Sequence, residues 1–545
     1  MTDVLLPLMI VAPILAATLA LLLGLRYDRA GWPVAAGTTT VLVGMAAALA
    51  RAVYPQIGGE GGRVIHELGG WERPYGIELV ADELSAALVV LITLVSLATL
   101  VFARVAGPRG NAFYAGYLLL TGGVLGVALT GDMFNMFVFL EITGLTTYAL
   151  VASDRAGASA YAALKYLMVG TVGASLYLIG VGYVFLATGS LNMIDLRSAI
   201  AEVGYTDPLI QAGFAFVVAG FALKIALFPM HTWQPDAYQR APDAVTTYIS
   251  ALVSTAAAYA LLRVTYTVFT VEFLARNDAI TTGVMIAAGI SIVAGSALAA
   301  MQTDLKRTFA YSSVAQFGMI AAAAMIANET ALLGAIVHLL GHGLMKFGLF
   351  LAVGMLGLGY GVETIDDLAS LARRAPYTTG AMTVLGLALV GVPPSIGMLG
   401  KWYIALGAVE SGAAGDPAGL AVAGVIFVST LLTLAYVGRI VEQLYFAGVD
   451  ETGHDEGVHA ADGGVAEGDR VAEDERAADD SVGLARPAEG APEVPIPGVP
   501  DRVPPASLAV LVGATLAAVG LGFAGFLAFE LFEPFIQEVF AYAGR

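Results

Sequence analysis

Seven side chains able to carry a proton sit where an apolar chain should not hold them. Glu141, Lys165, Lys224, His338, His342, Lys346 and Lys401 each fall inside, or at the mouth of, a long apolar stretch. An ionisable group at the centre of a membrane helix costs about 2.5–3.5 kcal/mol on insertion scales, so a chain that keeps several has a use for them. Lysine usage sharpens the point. The chain has 5 Lys against 21 Arg, and apart from Lys306, which is expected in a loop, every Lys enters an apolar span. Arginine stays protonated in proteins, whereas a desolvated lysine can release its proton near neutral pH. A relay needs groups that change state, and this is the distribution a relay predicts. The structural alternative is that each Lys snorkels to the interface or pairs internally. It weighs most on Lys165, near the start of its span.

His338, His342 and Lys346 are spaced four apart in VHLLGHGLMK. That spacing aligns them on one helix face, over about 12 Å at 1.5 Å per residue. Three proton-exchanging groups in such a row read as a wire. Histidines at i and i+4 can also bind zinc, but the Glu of an HExxH motif is absent and no third ligand is evident. Satisfied core histidines are the remaining alternative.

Two helix breaks accompany these residues. Pro229 follows Lys224 by five residues in FALKIALFPMHTW, and Pro393 and Pro394 precede Lys401 in GVPPSIGMLGKW. Proline removes an amide donor and clashes with the preceding turn, so both helices should be discontinuous, with freed carbonyls available to ions and water. Paired broken helices in two halves of a transporter point to its ion path. Glu141, in DMFNMFVFLEITGLTTYAL, needs a cation nearby, and Lys224 is its natural partner in that half. A changing distance between them would act as a switch; a static salt bridge is the structural alternative.

These groups must be positioned by membrane helices. The chain of 545 residues is 58% hydrophobic and 13% charged, with mean hydropathy +0.79. A soluble domain carries about 25% charged residues, so lipid must be the main solvent. About 20 apolar residues span a bilayer as a helix, because a helix satisfies its own backbone there. The sequence predicts an all-α polytopic protein with fourteen spans, near 5–25, 32–53, 82–104, 112–130, 133–153, 161–187, 208–229, 243–267, 280–301, 307–327, 330–358, 377–406, 420–446 and 506–530. The first is read as a retained span, too long for a signal-peptide core. The seventh and twelfth are the broken ones, so spans four to eight and nine to thirteen form two inverted five-helix repeats. The expected divisions are 1–110 (three helices), 111–267 (first repeat), 280–446 (second repeat), 447–505 (linker) and 506–545 (last helix).

Loops after odd-numbered spans hold eleven basic residues and loops after even-numbered spans six, Arg263 among the latter. The positive-inside bias then places both termini outside a plasma membrane. Segment 447–505 is rich in Asp, Glu, Ala, Gly and Pro, and reads as a disordered cytoplasmic tether. Between Asp450 and Arg502 it carries 15 acidic and 4 basic residues, much of the net −18 of the chain. An acidic chain without a basic face is not built for nucleic acid. The acidic, Lys-poor composition fits a salt-loving organism. With no cysteine, the chain has no disulfide and no thiolate site for an iron–sulfur cluster or zinc, and no cofactor is expected in it.

Over roughly residues 80–445 the chain resembles the antiporter-like membrane subunits shared by respiratory complex I, membrane-bound hydrogenases and Mrp-type multisubunit cation/proton antiporters. The resemblance rests on FNMFVFLE, FALKIALFPMHTWQPDAYQRAP, QTDLKRTFAYSSVAQ, VHLLGHGLMKFGLFLAVG and GVPPSIGMLGKW, in that order. Among the subfamilies it is most similar to the D-type subunits of the Mrp antiporters. The resemblance implies that Glu141 and Lys224 form a first-half charge pair, that His338, His342 and Lys346 connect the halves, and that Lys401 ends the second half-channel. One position departs. Many relatives carry a lysine in the eighth helix, where this chain has Thr255 beside Ser254. Neither hydroxyl holds a charge, but both can order water that carries a proton.

The expected function is thus a proton-translocating subunit of a monovalent cation (Na+)/proton antiporter, partnered by other membrane subunits. A proton-pumping subunit of a complex I-like NADH/quinone oxidoreductase or membrane-bound hydrogenase is the second reading. A scaffold whose relay has decayed is the third, with Thr255 as its one hint.

Overall fold

A computed structural model of the protein describes residues 3–58, 61–447 and 504–541; the acidic linker lies outside the described residues apart from its two ends. The chain is overwhelmingly helical. It opens with α1 (Leu5–Gly24) and α2 (Gly31–Val53), followed by a β-hairpin of β1 (Val64–Glu67) and β2 (Glu78–Ala81). Then come α3 (Glu83–Ala106), α4 (Asn111–Leu129), α5 (Met133–Val151), α6 (Gly157–Thr188), α7 (Met193–Val203), α8 (Pro208–Lys224) and α9 (Trp233–Arg240). A long helix α10 (Asp243–Arg276) leads to α11 (Asp278–Ala300), α12 (Leu305–Ile326) and α13 (Glu329–Tyr360). The chain continues with α14 (Pro376–Val390), α15 (Ile396–Ala413), α16 (Pro417–Tyr445), α17 (Pro505–Gly520) and α18 (Gly525–Ala541).

Twelve of these helices are long and apolar enough to cross a membrane. The two expected spans missing from that set are the seventh and twelfth, where the shorter apolar helices α8 and α14 end at the proline breaks. Polar caps mark where the spans begin. Asp82 and Ser85 form a reciprocal capping box on α3, and the side chains of Asp132, Asn192, Asp207, Asp304, Asn328, Ser395 and Asp416 each accept from a first-turn amide. Gly189 and Gly361 close α6 and α13 in the left-handed conformation that glycine adopts without a Cβ penalty.

Burial divides the helices into a centre and a rim. The apolar windows of α10, α12 and α13 are 100%, 94% and 89% buried, whereas those of α1, α2, α16 and α17 are 33–39% buried. The second ionisable row, on α13, is therefore surrounded by protein, and lipid meets the outer helices.

A pair of short backbone bridges recurs. The Met133 amide donates to Leu191 O and the Met193 amide to Gly131 O; the Leu305 amide donates to Glu363 O and the Ile365 amide to Thr303 O. One offset, 172 residues, separates Met133 from Leu305, Leu191 from Glu363 and Gly189 from Gly361. The first bridge lies beside the hairpin, where the Gly131 amide donates to Glu78 O, and the second beside α9, where Gln239 donates to Asp304.

Five expectations need correction. The hairpin is an exception to the all-α reading; its strands are four residues each and carry no clear alternation. The eighth span does not end at 267 but runs to Arg276, and two π-helical stretches, Ile249–Val253 and Val264–Phe269, interrupt its regular ladder. Arg263, counted with the loop charges although it lies within the expected 243–267 span, is not a loop residue. It is buried in α10 and forks onto Asp82 at 2.5 and 2.6 Å, which removes it from the loop-charge count. Lys306 lies in the first turn of α12 rather than a loop. Finally, the last span stops near Phe523, and α18 is a separate helix beyond it. Phe540 of α18 meets Tyr266, and Glu538 pairs with Arg63 at 2.6 Å. The N-terminal Asp3 contacts His66 of the same hairpin region, so both described ends share one face of the molecule.

Candidate functional site

In the first half, Glu141 sits midway along α5 and Lys224 is the last residue of α8. The Lys224 ammonium donates to Glu141 Oε1 at 3.2 Å, with side-chain exposures of 9% and 24%. The break after Lys224 runs from 225 to 229 and includes Ala226 at φ 56°. It is tied on both sides: the Trp233 indole donates to Leu223 O at 3.0 Å, and the Phe228 amide donates to Ser291 Oγ at 3.0 Å. Helix α9 then begins with a Trp233 ring stacked 3.9 Å from Tyr166.

Lys165 is not brought to this pair. Its ammonium donates to Asp236 on α9 at 2.6 Å, and the same carboxylate accepts from Arg307 on α12 at 2.8 Å. Its place is an ion-pair cluster that joins α6, α9 and α12. Asp236 was not singled out from the sequence, although the charge that Lys165 required was a signal for it.

The second row lies on α13. His338, His342 and Lys346 are all fully buried. The Lys346 ammonium donates to Phe309 O at 2.6 Å and to the Ser312 hydroxyl of α12. One turn back, His342 packs edge-on against Phe317, ring centroids 4.6 Å apart. Neither ring nitrogen of His338 or His342 has a partner among the described side chains and backbone. Gly400 packs α15 directly on the His338 backbone; a methyl there would come within 2.6 Å of His338 Cα. Its neighbour Lys401 donates to Leu389 O at 2.8 Å and Val390 O at 3.1 Å. These are carbonyls that the Pro393–Pro394 break leaves at the C-terminal end of α14, and an ammonium there also meets the negative end of the helix dipole.

Between the two rows stand α9 and α10. Ser254 Oγ lies 3.1 Å from Tyr238 Oη and 3.5 Å from Gln234 Nε2, which itself donates to Tyr238 at 3.1 Å. Thr255 is fully buried with its hydroxyl unpartnered among the described residues, and a methyl on Gly343, next to His342, would lie 3.5 Å from it. Gln316 of α12 is fully buried, and both its amide atoms are unpartnered among the described residues. It falls four residues after Ser312 and beside the Phe317 that touches His342. Sequence reasoning missed Gln316, Gln234 and Tyr238, because neutral polar residues are common in packed membrane helices. The π-helical stretch before Ser254, a feature often found at functional sites, has no sequence signature.

Fold and site together define a polytopic membrane protein with ionisable side chains held within its helices beside two interrupted helices. Residues 130–433 match the model of the family described as NADH:quinone oxidoreductase/Mrp antiporter, transmembrane, and the chain belongs to that family. It is 40% identical over 445 residues to the NADH-quinone oxidoreductase subunit N of Desulforudis audaxviator (strain MP104C), covering 81% of this chain and 85% of that one. It is 31% identical over 389 residues to the D-type subunit of the Na(+)/H(+) antiporter of Bacillus subtilis (strain 168), covering 71% and 76%. Its fold is similar to a chain of the Mrp complex from Dietzia sp. DQ12-45-1b, with TM-score 0.79, 25% identity and 99% of both chains covered.

Proposed function

We propose that this chain is the proton-translocating subunit of a multisubunit monovalent cation/proton antiporter, with Na+ as the exchanged cation. The observation that carries the reading is the Glu141–Lys224 pair at the α8 break, facing a second buried row of His338, His342, Lys346 and Lys401. Proton transfer runs through Glu141 and Lys224, crosses α10 on water ordered by Ser254 and Thr255, and leaves along His338, His342, Lys346 and Lys401. Lys165 is auxiliary and acts through Asp236. No cofactor takes part within this chain.

The broken seventh and twelfth helices complete fourteen crossings, and spans four to eight and nine to thirteen are inverted repeats. The matching backbone bridges, one beside the hairpin and one beside α9, support that reading. The chain sits in the plasma membrane with both termini outside and the 447–505 linker inside, bound to other membrane subunits. Taking Arg263 out of the even-loop count and Lys306 out of the odd-loop count leaves the charge bias behind this orientation in the same direction.

A second reading, a proton-pumping subunit of a quinone oxidoreductase, is favoured by the 40% identity to a subunit N. Mass spectrometry of the intact complex, purified through a tag on this chain, separates the two. Small membrane subunits and sodium-dependent proton flux support the antiporter; co-purifying flavin or iron–sulfur subunits overturn it.

A further inference from the structure

We propose that the Tyr148 hydroxyl is a second seat for the Lys224 ammonium, so that Tyr148 sets how firmly Lys224 holds Glu141. The inference rests on the Glu141–Lys224 pair being a working element, as read above. Tyr148 lies on α5 seven residues after Glu141, two turns along the same face. It is 6% exposed, and its hydroxyl is buried without a hydrogen-bond partner among the described residues. A buried hydroxyl left in that state is costly, so a partner that arrives in another arrangement is the simplest explanation.

Two glycines shape the seat. A methyl on Gly144 would lie 2.9 Å from Tyr148 Oη and 3.3 Å from Lys224 Nζ, so the hydroxyl and the ammonium flank one spot. A methyl on Gly170 would lie 1.9 Å from the same hydroxyl, so only glycine there leaves the phenol its place. The ring itself is held. Tyr166 packs on it edge-to-face at 4.6 Å and stacks on Trp233, whose indole is bonded to the carbonyl of Leu223, next to Lys224. The phenol is thus fixed by groups on both sides of the helix break, whereas the ammonium rides on a flexible four-carbon stem. With Glu141 ionised the ammonium stays on the carboxylate. When Glu141 takes up a proton, the attraction falls and Lys224 donates to Tyr148 Oη instead.

The test uses the intact complex carrying Tyr148→Phe, which keeps the ring and removes the hydroxyl. A lipid-soluble carbodiimide modifies Glu141 only when its carboxyl is protonated, and peptide mass spectrometry reads the rate. Without the second seat Lys224 stays on Glu141, so labelling should slow about tenfold and proton flux in proteoliposomes should fall alongside. Gly170→Ala, which displaces the phenol, should act in the same direction. A merely structural loss would loosen the site and speed labelling. Unchanged or faster labelling in Tyr148→Phe overturns the inference. If Glu141→Gln and Lys224→Ala abolish flux in those preparations, the pair itself stands; if they leave flux intact, the underlying reading fails first.

Discussion

The two halves of the molecule hold their buried lysines in different ways. In the first half Lys224 faces a carboxylate at 3.2 Å. In the second, Lys346 and Lys401 face backbone carbonyls and one serine hydroxyl. A carboxylate discriminates strongly between an ammonium and a neutral amine, because its attraction is ionic and is amplified in a poorly polarisable interior. A carbonyl accepts an N–H from either form. On the proposed reading, the first half would respond to charge, and the second would hold an amine in place across a change of charge. The difference also assigns the breaks distinct uses. The α8 break frees Lys224 at a helix end to meet another helix, while the α14 break supplies the carbonyls that Lys401 caps.

The largest expected effect breaks the first half. Glu141→Ala and Lys224→Ala should each lower proton flux by more than about 100-fold, in the range seen when a proton-transferring side chain is removed. Each single change leaves one charge unpaired in the membrane, whereas the double variant leaves neither. The double variant should therefore be recovered in assembled complex more fully than either single, as measured by detergent extraction and size-exclusion yield. Equal recovery of all three would mean the pair is not electrostatically coupled.

Next comes the second half. Lys401→Met strips the donor from Leu389 and Val390, and the unsatisfied carbonyls should cost about 1–3 kcal/mol in thermal stability. Lys401→Arg restores a donor that cannot lose its proton, so it should recover stability but not flux. Recovery of both would show that Lys401 is a cap and not a proton carrier.

The middle crossing should respond less. Thr255→Val is nearly isosteric and removes a buried hydroxyl that has no partner among the described residues, so flux should fall several-fold while assembly holds. Normal flux in that variant would move the crossing away from α10. The smallest effect belongs to Lys165. Its side chain and that of Asp236 are 30% and 28% exposed, so Lys165→Ala should change stability by no more than about 1 kcal/mol. A loss of flux as deep as that of Lys224→Ala would place Lys165 within the proton path.

Much of this was legible in the chain. Pro229 and Pro393–Pro394 announced both interruptions, since proline acts on its own helix wherever it sits. The i, i+4 row of His338, His342 and Lys346 followed from helix periodicity. The partner of Lys165 was not legible, because Asp236 is 71 residues away and reaches it only when α9 packs on α6. The fate of Arg263 was misread for a related reason. Its charge was counted with the loops, because a local pattern cannot see Asp82, 181 residues earlier, pairing with it inside the protein. Helix α18 was absorbed into the preceding span because its composition is also apolar.

The sequence by itself thus determined a membrane-embedded helical chain, its two broken helices and the side chains that keep charge within it. Those follow from costs that act locally, on each backbone amide and each ionisable group against lipid. The Glu141–Lys224 pair was also foreseen, but only the tertiary structure decided what three other lysines face: Asp236 for Lys165, Ser312 and Phe309 for Lys346, and the end of α14 for Lys401. The reason is physical. Apart from the Lys401 cap, those partners lie on other helices 34 to 71 residues away in the chain, and their meeting depends on how the helices pack, which no local pattern encodes.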